Sequence, residues 1–244
     1  MPGTLIAIIL LVAALAGIIP ARAESWIVAS EDSFPPYSFT RDGRRAGIDV
    51  EIVEAALKAI GVTAQHQALP WSRVIYSIDH DLVDFGFQFI GTAERFARWT
   101  MVPLNRTSQT VLALPRQSSF DYTDLADLRG MTIGVVQGYR YDPAFDQASH
   151  FRRESAEDNL LNLRKLVAGR LDAVVGDLLT LHYLARENGL VDKVRYAEKP
   201  IAAVPRYVAF PQARADRARR FAEGMRQITD DGTLATILQV WRGN

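Results

Sequence analysis

The chain has 244 residues, 48% of them apolar, with 28 basic residues set against 28 acidic ones and no cysteine. That composition is enough for one or two globular domains, and it excludes disulfides, thiolate metal sites, cysteine nucleophiles and lipid attachment through a cysteine. Balanced charge, with no basic cluster beyond the short RADRARR at 214–220, argues against a nucleic-acid partner.

Residues 5–19 carry no charge and are too few for a comfortable membrane span, and Ala21-Arg22-Ala23 supplies a small-x-small cleavage pattern. Residues 1–23 therefore read as an export signal, which places the mature protein outside the cytoplasm, in a bacterial periplasm. One feature departs from this pattern: no Lys or Arg precedes the apolar run. An uncleaved anchor and a misplaced start codon are the alternatives.

From there the chain alternates strands and helices. WIVAS (26–30) reads as a strand. IDVEIVEAALKAIG (48–61) is an amphipathic helix with Ile48, Ile52, Val53, Leu57 and Ile60 on one side and Gly61 closing it. VTAQHQAL (62–69) is a strand, WSRVIYSID (71–79) a helix, VDFGFQF (83–89) a strand, and Thr92 opens a further helix. A second unit follows an extended segment around Thr107–Pro115. It comprises a short helical lead-in at 121–130, the strand MTIGVV (131–136), a helix over 142–150, and a helix over 155–170 that Ser155 and Asp158 start as a capping box. The strand LDAVVGD (171–177) and the helix LLTLHYLAREN (178–188) complete it. PRYVAF (205–210) is extended again, and two helices end the chain. If that run leads the chain back, the last helices complete the first unit and two crossing segments form a hinge over a cleft.

Between the first strand and first helix stands DSFPPYSF (32–39), with three rings and two adjacent prolines. Each proline fixes φ and removes a donor, so this is neither helix nor central strand. It reads as a stiff loop presenting aromatic surface.

The motifs FPPYSF (34–39), GIDVEIVEAALKAIG (47–61), VDFGFQFIGTAER (83–95), LADLRGMTIGVVQG (125–138), LDAVVGD (171–177) and DDGTLATILQVW (230–241), in that order, resemble the extracellular solute-binding proteins that serve polar-amino-acid ABC transporters. The resemblance implies an α/β, two-lobed periplasmic-binding-protein (Venus-flytrap) fold with two hinge strands. Lobe 1 would be 24–109 plus 207–244, and lobe 2 would be 110–206. It further implies a monomer that captures a small amino acid-like ligand for a membrane ABC permease; no cofactor and no catalytic residue are assigned, although the same family includes dehydratases, for which Glu31, Asp177, Tyr139 and Arg140 could serve as acids and bases.

Carried over residue by residue, the resemblance puts the ligand's carboxylate on Arg95 in the T-x-x-R turn with Thr92. It puts the ligand's ammonium on Asp177, an aromatic wall on Phe34 and Trp71, and a further acid on Glu31. Gln88 and Ile90 replace the family's small hydroxyl residues, and Tyr139-Arg140-Tyr141 replaces its Thr-rich turn. Those replacements leave the ligand's side chain open, and Arg140 favours an acidic or additional carboxylate.

Arg suits a carboxylate because its planar fork makes two parallel bonds, and partners on opposite lobes make closure depend on a ligand bearing both charges. The same residues have plainer readings: Arg95 as an exposed first-turn residue, Asp177 as a helix N-cap, Trp71 as core, Phe34 and Tyr37 as a loop plug, Arg140 as solvated. His66, His80, His150 and His182 share no metal-ligand spacing, and neither G-x-S-x-G nor a Walker glycine run occurs. A dehydratase-like enzyme on this scaffold and a soluble sensor are the competing functions.

Overall fold

The computed structural model describes residues 24–242, so the expected export signal, 1–23, lies outside the described residues. Among these, no helix is long and apolar enough to cross a membrane. Strands β1 (Glu24–Glu31), β5 (Val62–Leu69), β6 (Phe85–Ile90), β7 (Thr100–Pro115), β8 (Thr132–Val136), β9 (Arg152–Ala156), β10 (Ala173–Asp177), β11 (Val194–Tyr196) and β12 (Ala202–Phe210) form one sheet. Its order is β5-β1-β6-β12-β7-β10-β8-β9, with β11 also on β7. Short strands β2 (Ser33–Phe34), β3 (Ser38–Arg41) and β4 (Arg44–Ala46) make a second sheet.

The helices are α1 (Ile48–Ala59), α2 (Trp71–Asp79), α3 (Ala93–Arg98), α4 (Pro143–Gln147), α5 (Asn159–Val167), α6 (Leu178–Glu187), α7 (Ala215–Asp230) and α8 (Thr233–Arg242). Parallel pairs β1–β5 and β1–β6 form the first lobe's sheet, and β8–β10 and β8–β9 the second's. Such strands are covered on both faces and read as continuous apolar runs; every residue of β6 and of β10 is buried.

Two antiparallel strands link the lobes. β7 pairs with β12 from Thr100↔Phe210 to Thr110↔Ala202, and its far half also pairs with β10 and β11, while β12 pairs with β6. The first core packs Trp26, Ile52, Leu57, Phe85 and Phe87 against Phe221 and Ile228 of α7, so the C-terminal helices complete the lobe that the N-terminus begins. Leu112, Ile133, Phe145 and Val175 form the second lobe's core on one face of its sheet, and Leu163, Leu166 and Leu181 on the other.

The proline loop anchors the start of α1. Gly47 precedes that helix with no side-chain cap; instead the Pro36 and Tyr37 carbonyls accept the Ile48 and Asp49 amides at 3.0 and 2.9 Å. Gly47 is required there, since its φ is 122° and a Cβ would stand 2.5 Å from the Tyr37 carbonyl. Asp49 turns inward and forms a bidentate, fully buried ion pair with Arg106 of β7, whose guanidinium lies 3.9 Å from the centre of the Tyr37 ring.

Three elements differ from the sequence reading. The segment 152–156 is strand β9, so Ser155 belongs to the sheet and Asp158 alone caps α5, accepting the Leu161 amide at 2.8 Å; parallel pairing with β8 overrides the capping pattern. The helix at 142–150 ends at Gln147, and the linking strand starts at Thr100 rather than Thr107.

Removing one partner of a buried ion pair leaves an uncompensated charge, which costs about 3–5 kcal/mol. We therefore expect Asp49→Ala to lower the unfolding free energy by roughly that amount in urea titrations, whereas a change below about 1 kcal/mol would mean that the pair does not anchor the loop.

Candidate functional site

The lobes meet along a cleft whose walls are set by the ends of strands and the turns after them. From the first lobe come Glu31 at the end of β1, Phe34 in β2, Trp71 at the start of α2, Gln88 and Ile90 in β6, and Arg95 in α3; from the second come Tyr139 and Arg140 after β8. Arg206 of β12 completes the lining. The cavity these residues enclose is about 20 Å³, space for a water molecule but not for an amino acid. Outside it a groove of about 630 Å³ runs between Thr92, Glu94 and the 138–141 turn.

Arg95 is 6% exposed. Thr92 caps its helix, accepting the Arg95 amide at 3.2 Å, and this fixes the direction of the side chain. The guanidinium donates to the Ile90 carbonyl at 2.9 Å and, across the cleft, to the Gly138 carbonyl at 3.5 Å. Among the described residues, no carboxylate oxygen lies within 4.0 Å of it. Burial, followed by the neighbouring Arg140 charge, lowers its pKa to about 10.

Among the described residues, Glu31 is the one carboxyl group on the cavity wall. Burial raises its pKa to about 8 against the opposing pull of the Tyr139 hydroxyl, which donates a hydrogen bond to it from the other lobe. The Tyr139 ring stands edge-on to Trp71 and Phe34, with centroids 5.6 and 6.2 Å away, and Trp71 Nε1 donates to the Gly138 carbonyl at 3.1 Å. Tyr139 thus fills the middle of the cleft and packs against the cores of both lobes.

Gln88 has φ +82° at the point where β6 slips register against Tyr207 and Val208 of β12. A side-chain-bearing residue rarely adopts that conformation, and the bulge turns its amide inward, where Gln88 Oε1 accepts the Glu31 amide at 3.2 Å.

The sequence-derived residues fall into three groups. Glu31, Phe34, Trp71, Gln88, Arg95, Tyr139 and Arg140 share the cavity, although Arg140 reaches it from a half-exposed position and pairs with Glu94 at 3.4 Å. Thr92 lines the outer groove. Asp177 does not line the cavity: its Oδ1 accepts the Thr180 amide at 3.1 Å as the cap of α6, and its Oδ2 faces Arg206 Nη2 at 3.6 Å.

Arg206 was not singled out from the sequence. It is 7% exposed, donates to Ser108 Oγ at 2.8 Å and to the Gln88 carbonyl at 3.2 Å, and lies over Phe34. The available signal was a lone cation within the otherwise apolar run PRYVAF.

This architecture, two α/β lobes closing on a small polar chamber, is that of a solute-binding protein. The sequence profile of the bacterial extracellular solute-binding proteins, family 3, matches residues 26–244, and the chain belongs to that family. The L-cystine-binding protein TcyJ of Escherichia coli is 23% identical over 220 residues, spanning 89% of this chain and 82% of that protein. The L-cystine-binding protein TcyA of Bacillus subtilis is 21% identical, spanning 88% and 80%. A histidine kinase sensor domain with similarity to periplasmic binding proteins superposes with a TM-score of 0.81 at 23% identity, covering 90% of this chain and 96% of the other. An ancestral arginine-binding protein bound to glutamine does so with 0.80 at 20% identity, covering 90% and 98%.

The Glu31 pKa carries a stability consequence. Its proton is retained to about 8 in the native state and released from about 4.5 in the unfolded chain, so the native state binds the extra proton between those values. Stability from this group is therefore complete below about 4.5 and lost as pH rises through 8, at about 1.4 kcal/mol per pH unit. Glu31→Gln should flatten the pH 5–8 stability profile relative to wild type in urea titrations, by a few kcal/mol across the window. Parallel profiles would refute the proton's placement.

Proposed function

We propose that this protein captures a small carboxylate-bearing solute, an amino acid or a close relative, outside the cytoplasm and presents it to a membrane ABC permease. The observation that carries the reading is Arg95, a buried guanidinium at the lobe interface with one ordinary hydrogen bond, one long one and, among the described residues, no carboxylate within 4.0 Å. A buried cation without a counter-charge is costly, and a carboxylate offering two oxygens to the fork removes that cost. Trp71 and Phe34 would give the solute rigid walls at little entropic expense. The cystine-binding names of the relatives and the family's extracellular character support an exported receptor rather than an enzyme.

In this reading the chain acts as a monomer whose lobes, 24–109 with 207–244 and 110–206, rotate about β7 and β12, and residues 1–23 direct export and are removed. The solute enters when the lobes part and Tyr139 withdraws, and closure brings the second lobe over it.

The test is thermal unfolding of the protein with a panel of amino acids, polyamines and small carboxylates. A solute at a hundred times its Kd stabilises by about 2.7 kcal/mol, a rise in midpoint of roughly 5–11 °C for a chain of this size. That rise should occur for a carboxylate-bearing solute and vanish in Arg95→Ala. A panel in which no carboxylate shifts the midpoint would sink the reading, as would a shift that survives the substitution.

A further inference from the structure

We propose that the turn 138–140 is an intramolecular latch that holds the two lobes shut without a solute, and that ionisation of Glu31 releases it. The inference rests on the reading above in one respect, that the lobes part about β7 and β12, and it assigns no contact to any atom of a solute.

Three consecutive residues of the second lobe each bond to the first. The Gly138 carbonyl accepts from Trp71 Nε1 at 3.1 Å and from the Arg95 guanidinium at 3.5 Å. The Tyr139 hydroxyl donates to Glu31, and its ring stands edge-on to Trp71 and Phe34. Arg140 Nη2 donates to Glu94 of α3 at 3.4 Å. Because the Tyr139 ring packs against the cores of both lobes and leaves a cavity of about 20 Å³, the latched turn and a solute the size of an amino acid exclude one another.

The turn is fixed within its own lobe, so it moves with that lobe as a unit. Gly138 supplies the left-handed φ of +77°, and the Tyr139 amide donates back to the Val136 carbonyl at 3.1 Å. Beyond it the Tyr141 hydroxyl accepts the Val136 amide at 2.8 Å, and the Tyr141 amide donates to Asp146. A shape held in this way presents its carbonyl, hydroxyl and guanidinium to the first lobe together.

The latch also covers Glu31. The groups that act on its carboxyl are the Tyr139 hydroxyl and Asp158 at the head of α5 from the second lobe, with Arg206 on β12 and Arg45 on β4. Burial outweighs the pull of Tyr139 and of both arginines, and the closed form keeps the proton to about 8. Parting the lobes takes Tyr139 and Asp158 away and admits water, which returns the carboxyl toward its ordinary 4.5. The closed form therefore holds an extra proton between those two values. Closure is favoured fully below about 4.5, weakens as pH rises and has lost that support above 8.

The experiment measures lobe separation without solute, on protein freed of any bound solute by unfolding in urea, dialysis and refolding. The chain has no cysteine, so Arg41→Cys and Arg186→Cys place two spin labels; both residues are exposed and line one groove from opposite lobes. Pulsed dipolar spectroscopy should give one short distance near the acid end and a growing population at longer distance as pH rises. The ratio of parted to closed molecules should climb toward about tenfold per pH unit and level above 8. In the labelled chain Glu31→Gln should keep the short distance throughout, and Tyr139→Ala should give the long one throughout. Labelled protein already parted at the acid end, or a distance distribution that does not change with pH, overturns the latch, and both are read with the cleft residues intact, whether or not those variants fold. The receptor reading is tested separately by the thermal panel, so a solute that stabilises a chain without a latch leaves that reading standing.

Discussion

Two buried arginines on the crossing strands organise the cleft. Arg106 of β7 is neutralised by Asp49 at the start of α1, and Arg206 of β12 by Asp177 at the end of β10. Both are as buried as Arg95 but, unlike it, each has an acid within 4.0 Å, and removing that acid would leave an uncompensated charge at a cost of about 3–5 kcal/mol. Each pair therefore ties a link strand to a neighbouring element: β7 to the start of α1 beneath the proline loop, and β12 to the end of β10. Phe34 and Tyr37 stack at 5.3 Å between these charges, with Arg106 over Tyr37 and Arg206 over Phe34. The rings of the proline loop accordingly have different roles: Phe34 faces the chamber, while Tyr37 seals the Arg106–Asp49 pair beneath it.

Much of this was legible from periodicity alone. The helix over 48–61 shows its apolar stripe because one face meets a core and the other meets water, and β6 and β10 show as continuous apolar runs because both their faces are covered. What escaped is what has no period. Strands β2 to β4 are two to four residues long, and β9 alternates weakly at the sheet's edge behind a false capping signal. Motif resemblance points to Arg95, Thr92 and Trp71, which stand at the cleft, and to Asp177, which stands beside Arg206 rather than on the cavity wall. The interaction between those two joins positions far apart in the chain, and no local pattern encodes it.

Among the described residues, Asp42, Asp81, Gln88 and Asn105 are the non-glycine positions with positive φ, and of these Gln88 lies on the cavity wall. Gln88 adopts a left-handed conformation within a buried strand, a position that ordinarily favours glycine. Its carbonyl and side-chain oxygen are both engaged, by Arg206 and by the Glu31 amide, which compensates the backbone cost. The bulge thus links the second link strand to the end of β1 through a single residue, and the chemistry of the chamber depends on it.

The bond from Trp71 Nε1 to the Gly138 carbonyl spans the two lobes, with the Tyr139 ring edge-on to the indole. An indole's emission responds to whether its N–H is bonded and to the water around it. Separation of the lobes breaks that bond and hydrates one face of the ring, so the molecule carries an intrinsic optical gauge of its own closure. Trp26 and Trp99, buried, and Trp241, partly buried in α8, stand away from the cavity wall and would supply the background against which Trp71 is read.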